Sequence, residues 1–293
     1  MVLAVFDIGG TAVKYGVWDE EKIYLQNKFS TPSTWIEMKE EITRVFQWME
    51  ETTGKKMEGA AFSCPGAVHA EEGIIYGFSA VPYVHHFPIR AELEQLLGVP
   101  VSIENDANCA ALAEVFHGAA ADVENALFII IGSGIGGAVI LNRELVKGRN
   151  IFGGEFGFML LEEDHTFSDL ASPVRVASRY AEEVGLPPGS VSGLEMFQNA
   201  ENQDSIALKY VEGLKSSLAR GIQVLLVSFN PDKVIIGGAI STRHDLINEV
   251  SAQIKQQLIR VNATDVEYDI VPCHYHNDAN LVGAVVAFEQ QRQ

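Results

Sequence analysis

At 293 residues, 47% of them hydrophobic, the chain has enough apolar material for two ordinary cores at about 150 residues per domain. Its 39 acidic residues against 21 lysines and arginines give a net charge of −18, which excludes nucleic acid as a primary partner, because phosphate contacts need clustered cations. No apolar run reaches the roughly 18 residues of a membrane helix, and Asp7 breaks the first run with no basic residues ahead, so neither a membrane span nor a secretory leader is expected.

Hydrophobic periodicity lays out the elements. Strands are predicted over 2–6, 13–18 and 23–29. A helix follows, capped by Thr34, striped with Ile36, Ile42, Val45, Phe46 and Met49, and stopped before Gly54. The segment 57–63 returns as a strand into a sharp Cys64-Pro65-Gly66 turn. Next come a helix over 88–97, a buried strand over 99–103 and an alanine-rich helix over 110–116. A glycine hairpin spans 129–140, with a third strand near 144–147. Helices are read at 173–184, 193–199 and 205–229, the last as core packing. A strand over 234–236 runs into Gly237-Gly238, and a helix over 244–259, a strand over 268–271 and a helix over 279–290 close the chain. Each half therefore opens strand, glycine turn, strand, strand, a weak internal repeat that fits a duplicated α/β core.

The motif Asp7-Ile8-Gly9-Gly10-Thr11 sits between two strands. Its glycines let backbone N–H groups approach phosphate, Thr11 adds a donor, and Asp7 suits a hydrated Mg²⁺. Gly-Gly also closes ordinary hairpins. A second turn, Gly132-Ser133-Gly134-Ile135-Gly136-Gly137, repeats the plan and points to two domains closing on one nucleotide. A dinucleotide fingerprint would open a helix, whereas 138–141 continues as strand. Asp106 follows a buried strand, a position that suits a general base and equally a helix cap. The three cysteines (Cys64, Cys109, Cys273) are far apart and form no CxxC pair, which fits buried thiols in a reducing cytoplasm.

Taken together, Asp7-Ile8-Gly9-Gly10-Thr11, Glu104-Asn105-Asp106-Ala107-Asn108, the second glycine hairpin with Gly153-Gly154-Glu155-Phe156-Gly157, and Ile235-Ile236-Gly237-Gly238 resemble the ROK family of sugar kinases and repressors. That family belongs to the wider group of hexokinase, actin and the heat-shock ATPases. The resemblance implies an α/β, two-domain actin-like ATPase fold (hexokinase and ribonuclease H-like) with an interdomain cleft. Its small domain would be 1–107 plus 278–293, on the sugar and phosphate side, and its large domain 108–277, on the nucleotide side. It implies an ATP- and Mg²⁺-dependent kinase acting on the 6-hydroxyl of a glucose-like hexose or β-glucoside, working as a cytoplasmic homodimer.

By the same resemblance Asp106 is the general base, Asn105 and Glu155 bind sugar hydroxyls, and Gly66 turns beside the sugar. Asp7 organises Mg²⁺ through water, while Gly9, Gly10, Thr11, Gly132, Ser133 and Gly134 hold phosphates. Gly237 and Gly238 form the adenine or ribose platform. Simpler readings stand beside several of these: a surface turn for Glu155, a bend for Gly66, a strand-to-helix turn for Gly237-Gly238. Lys14 is read onto a solvated face. The chain departs from the family after Gly157, where Phe158 replaces a histidine, and over 164–175, where the family's zinc cysteines are missing; no zinc site is expected. The lone His165 and the pairs His85-His86 and His274/His276 are not read as metal ligands. Phe158 cannot hydrogen-bond but can stack on a sugar face or aglycone, so a substituted anomeric position is expected to be tolerated. The competing functions are an N-acetylhexosamine or N-acetylmannosamine kinase, a catalytically silent carbohydrate sensor and, least favoured, a sugar-independent ATPase. With the first strand opening the chain, no repressor segment is expected.

Overall fold

The structure, a computed structural model, describes residues 1–292. β1 (Leu3–Ile8) is buried at every position, as befits a strand covered on both faces. A turn through Gly9, Gly10 and Thr11 returns it antiparallel as β2 (Ala12–Asp19), which sets Asp7 opposite Lys14, and β3 (Lys22–Ser30) extends the meander. α1 (Trp35–Thr53) starts at a Thr34–Glu37 capping box, ends at a left-handed Gly54, and buries Met38, Ile42, Val45, Phe46 and Met49. Ile36 lies off that stripe and is exposed. β4 (Gly59–Cys64) runs parallel to β1. The short hairpin β5 (Ala67–His69) and β6 (Ile74–Tyr76) follows, then α2 (Ile89–Leu97), β7 (Val101–Asn105) parallel to β4, and α3 (Asp106–His117). α3 begins before its alanine run, at Asp106, because Asn105 caps it there.

β8 (Ala126–Ile131), β9 (Ile135–Leu141) and β10 (Glu144–Leu145) form a second meander. Beyond it lie the small β11 (Leu160–Glu162) and β12 (His165–Thr166) pair, α4 (Phe167–Ala171), α5 (Pro173–Glu183), α6 (Gly193–Glu201) and α7 (Ser205–Phe229). β13 (Lys233–Gly237), α8 (His244–Arg260), β14 (Asp269–Pro272) and α9 (Ala279–Gln291) complete the chain. The sheets run in the orders β3-β2-β1-β4-β7 and β10-β9-β8-β13-β14. In each, an antiparallel meander is followed by two parallel strands, so the repeat glimpsed in the sequence is a repeat of topology.

The chain forms two compact units. One comprises Met1–Ala121, Lys147–Phe152 and the chain from His274 on; the other comprises Asp122–Val146 and Gly153–Cys273. The first unit thus keeps α3, where the sequence reading broke the chain at 107. The reason is the α3–α9 crossing: at Gly283 a Cβ would fall 1.6 Å from the Cys109 carbonyl oxygen, so the two helices touch backbone to backbone. α9 covers one face of the first sheet with Leu281, Ala284, Val285 and Phe288, against Leu3 and Val5. On the other face Phe6 stacks on Phe62 at 4.8 Å within a core shared with α1. In the second unit α7 buries Val211, Leu214, Leu218, Ile222 and Leu226 against β8 and β13 residues.

Candidate active site

In the first sheet β4 lies between β1 and β7, and the carboxyl ends of all three carry polar groups. Asp7 pairs with Ser63 and Cys64 with Asn105 in the strand register. Asp7 and the Asn105-Asp106 turn therefore stand two strand spacings apart, about 10 Å. The Cys64 thiol between them is pushed well above its ordinary range, first by burial and then by the carboxylates of Asp7, Asp106 and Glu104. Crevices at strand carboxyl ends are where open α/β sheets bind ligands.

Asp7 is buried, and its Oδ1 accepts from Ser63 Oγ at 2.8 Å and Asn280 Nδ2 at 3.0 Å. Its Oδ2 stands 3.8 Å from Lys14 Nζ. Lys14 is thus not simply solvated: 41% exposed, it faces Asp7 across the hairpin. Asn105 caps α3 by accepting the Asn108 N–H at 3.1 Å. Its Nδ2 donates to Gly66 O at 2.9 Å and to Asp106 Oδ1 at 3.0 Å. Both amide protons are engaged, which leaves Asn105 an oxygen lone pair for a ligand hydroxyl. Asp106 is the first helical residue rather than the cap, and its Oδ1 also accepts the Ala107 N–H. A helix amino end favours such a carboxylate. Gly66 is required twice over. Its φ is +95°, and a Cβ would meet His85 Cε1 at 2.7 Å. His85 in turn contacts Ser79 Oγ at 2.7 Å and the Tyr76 carbonyl, and burial lowers its pKa.

The two glycine turns are built alike. The Gly9 N–H closes its own turn onto Ala12 O, and the Gly132 N–H closes onto Gly134 O. Among the described residues the N–H groups of Gly10, Thr11, Ser133 and Gly134 make no hydrogen bond, on turns that are wholly or partly exposed. Such orphan donors form an anion-binding nest. A Cβ at Gly132 would meet nothing within 4 Å, whereas one at Gly10 would meet Ala80 Cβ at 2.6 Å. The second turn is braced by Ser172 Oγ to Gly132 O, Ser168 Oγ to the Ile135 N–H, and Arg175 Nε to Ser133 O. Arg175 also pairs with Asp169, whose pKa falls to about 2 through the Thr166 hydroxyl and N–H first and Arg175 after them.

Glu155 follows Gly154, a glycine of φ +92° packed on the backbone of β9. Its side chain is half-buried and makes no hydrogen bond among the described residues, and burial raises its pKa. Phe158, three residues on, is 64% exposed. Packing accounts for both glycines at the end of β13: a Cβ at Gly237 would meet Phe128, and Gly238, at φ +87°, sits 2.1 Å from Ile131 O by the same measure. The strand-to-helix turn is therefore the structural reason for this pair. No group of three His, Cys, Asp or Glu side chains able to hold a metal occurs among the described residues. The three cysteines are buried, and among the described residues no helix is long and apolar enough to cross a membrane. Ser63, Asn280, Lys147 and Arg175 were not singled out from sequence, since each reaches its partner across a long stretch of chain.

Comparison with known proteins agrees with the topology. The ROK family profile matches residues 3–291. A β-glucoside kinase of Listeria monocytogenes is 32% identical, over 99% of this chain and 98% of its own length. A ROK family protein from Streptococcus pneumoniae, solved in complex with sucrose, superposes with a TM-score of 0.88 at 34% identity, covering 100% of this chain and 99% of that one. A ROK family glucokinase from Streptomyces griseus, solved with glucose and AMPPNP, gives a TM-score of 0.78 at 27% identity, covering 99% and 100%. The fold is that of the actin-like sugar kinases, and the chain belongs to the ROK family.

Proposed function

We propose that this protein is an ATP-dependent sugar kinase that phosphorylates the 6-hydroxyl of a glucose-like hexose or of a β-glucoside, with Asp106 as general base. The observation that carries the reading is the pair of carboxylates, Asp7 and Asp106, at the ends of β1 and β7 around β4. The backbone spacing of about 10 Å between their strands leaves room for a phosphoryl group, its hydrated cation and the attacking hydroxyl. Asp106 takes the hydroxyl proton as the sugar oxygen bonds to the γ-phosphorus and the bridging β–γ P–O bond breaks, releasing ADP. Asn105 holds the base through its own amide proton and accepts a sugar hydroxyl at its remaining lone pair. Glu155, a half-buried carboxylate whose side chain makes no hydrogen bond among the described residues, accepts further hydroxyls.

The free N–H groups of Gly10 and Thr11, and those of Ser133 and Gly134, fit phosphate oxygens, and the open space at Gly132 fits the same use. Asp7 Oδ2, 3.8 Å from Lys14 Nζ, suits the water shell of Mg²⁺. Mg²⁺ would supply charge neutralisation of the transferring phosphoryl group. Gly237-Gly238 is the proposed adenosine side. Exposed Phe158 beside Glu155 supports an apolar contact with an aglycone, and the β-glucoside kinase relative supports the same substrate class. The buried thiols suit a reducing cytoplasm, and a homodimer is the family expectation.

Asp106→Asn tests the base. Turnover is expected to fall by about 100-fold or more, with sugar affinity by calorimetry and melting temperature both kept. Turnover within a few-fold of wild type removes Asp106 from the mechanism.

A further inference from the structure

Glu104 precedes the Asn105-Asp106 turn on β7, and its side chain is only 3% exposed. A carboxylate so buried needs its charge answered and its lone pairs filled. Oε1 accepts the Asn105 N–H and Asn108 Nδ2, each at 2.9 Å. Oε2 takes Lys147 Nζ at 2.5 Å. Lys147 opens the segment Lys147–Phe152, which folds with the first unit although the residues on either side of it belong to the second.

The two oxygens therefore have different jobs. Oε2 is neutralised by an ammonium from a remote stretch of chain. Oε1 grips the backbone immediately before Asp106 and a side chain on the first turn of α3 after it. Asn108, held by its side chain, gives its backbone N–H to Asn105 Oδ1, and Asn105 gives Nδ2 protons to Asp106 and Gly66. Glu104, Asn105 and Asn108 close one hydrogen-bonded ring, and Asp106, the candidate base, is tied to it through Asn105 Nδ2.

We propose that Lys147 and Glu104 are positioning residues for phosphoryl transfer: their ion pair locks Glu104 onto Asn105 and Asn108, and through Asn105 it sets the aim of the Asp106 carboxylate. The role rests on the reading of Asp106 as base. Taking away the lysine leaves a buried carboxylate uncompensated, the arrangement that disrupts buried pairs most. Glu104 then turns toward water and releases Asn105, and a displacement of about 1 Å at the reacting group costs about 100-fold.

The test is a kinetic comparison of Lys147→Met, Lys147→Arg and the Glu104→Gln/Lys147→Met double variant with wild type, well below their melting temperatures. Lys147→Met is expected to lose about tenfold to 100-fold in kcat with the sugar, while KM for ATP stays within about twofold. Lys147→Arg restores most of kcat. So does the double variant, because a neutral glutamine keeps the Oε1 acceptor and needs no counter-charge. A merely structural pair would lower the melting temperature and leave kcat alone. Wild-type kcat in folded Lys147→Met overturns the proposal. Should Lys147→Met fail to fold, the double variant decides: kcat within about fivefold of wild type supports the role, and a loss as deep as that of Asp106→Asn overturns it. Silence of the wild-type protein on every sugar removes the kinase reading and this role with it, whereas an active wild type beside an unaffected Lys147→Met removes only the role.

Discussion

Glu155 is half-buried, unbonded by its side chain among the described residues, and desolvated enough to hold its proton above the ordinary glutamate range. The sign of its effect on function follows directly. Only the carboxylate accepts two hydroxyl protons, so the sugar-binding contribution proposed for it is present above that raised pKa and disappears as pH falls through it. Its effect on folding runs the other way, because a raised carboxyl favours the folded state at low pH and that advantage is lost as pH rises through the folded value. Glu155→Gln is therefore expected to be no less stable than wild type at neutral pH. It should lose about tenfold to 100-fold in kcat/KM for the sugar, the worth of charged hydrogen bonds, and flatten the acid limb of the pH profile. An identical acid limb in both proteins contradicts the assignment. Packing, not only a ligand, accounts for several of the glycines that the motifs singled out. Gly10, Gly66, Gly237 and Gly238 read as ligand-facing glycines, yet Ala80, His85, Phe128 and Ile131 already exclude a side chain there. Ser63 and Asn280, which fix Asp7, escaped notice because Asn280 lies 273 residues away in the chain, a distance over which local patterns carry no information.

α3 and α9 are joined by a glycine rather than by an interlocking of large side chains. Gly283→Ala would drive a Cβ into the Cys109 carbonyl at 1.6 Å. Overpacking of this kind costs about 1–3 kcal/mol, a fall of roughly 3–10 °C in melting temperature for a chain of this class. Gly213 supplies the contrast, since it is exposed in the middle of α7 and a Cβ there meets nothing within 4 Å. Gly213→Ala should stabilise by about 0.5–1 kcal/mol. Equal melting temperatures for the two variants would contradict the account of the crossing. Helices with strong end signals were legible in advance: α1 runs from its Thr34 cap to Gly54, and α7 spans the expected 205–229. The start of α3 was misplaced because an alanine run is a conspicuous helix signal, whereas the Asn105 cap is a single side-chain hydrogen bond. The pairs β5–β6 and β11–β12 were not foreseen, for strands of two or three residues are too short to show alternation.

Two units with one strand order explain how a single chain carries two similar glycine turns, each spending its first N–H on itself and leaving the next two unbonded. The fold class was legible because strand–turn–strand was written twice in the sequence with the same punctuation. The division of the chain was less so, because α3 follows the Asn105-Asp106 turn without any break in composition and declares its unit only through contact with α9. Family membership adds the class of reaction, and the polar ends of β1, β4 and β7 supply a physical reason for it. The most direct test is ADP release by the wild-type protein with MgATP across glucose, mannose, fructose, N-acetylated hexosamines and β-glucosides such as cellobiose, with the phosphorylated position identified by NMR. The expected result is sugar-dependent turnover, strongest with glucose or β-glucosides, that yields the 6-phosphate and is lost in Asp106→Asn. ATP hydrolysis indifferent to every sugar, or sugar phosphorylation undiminished in Asp106→Asn, would contradict it.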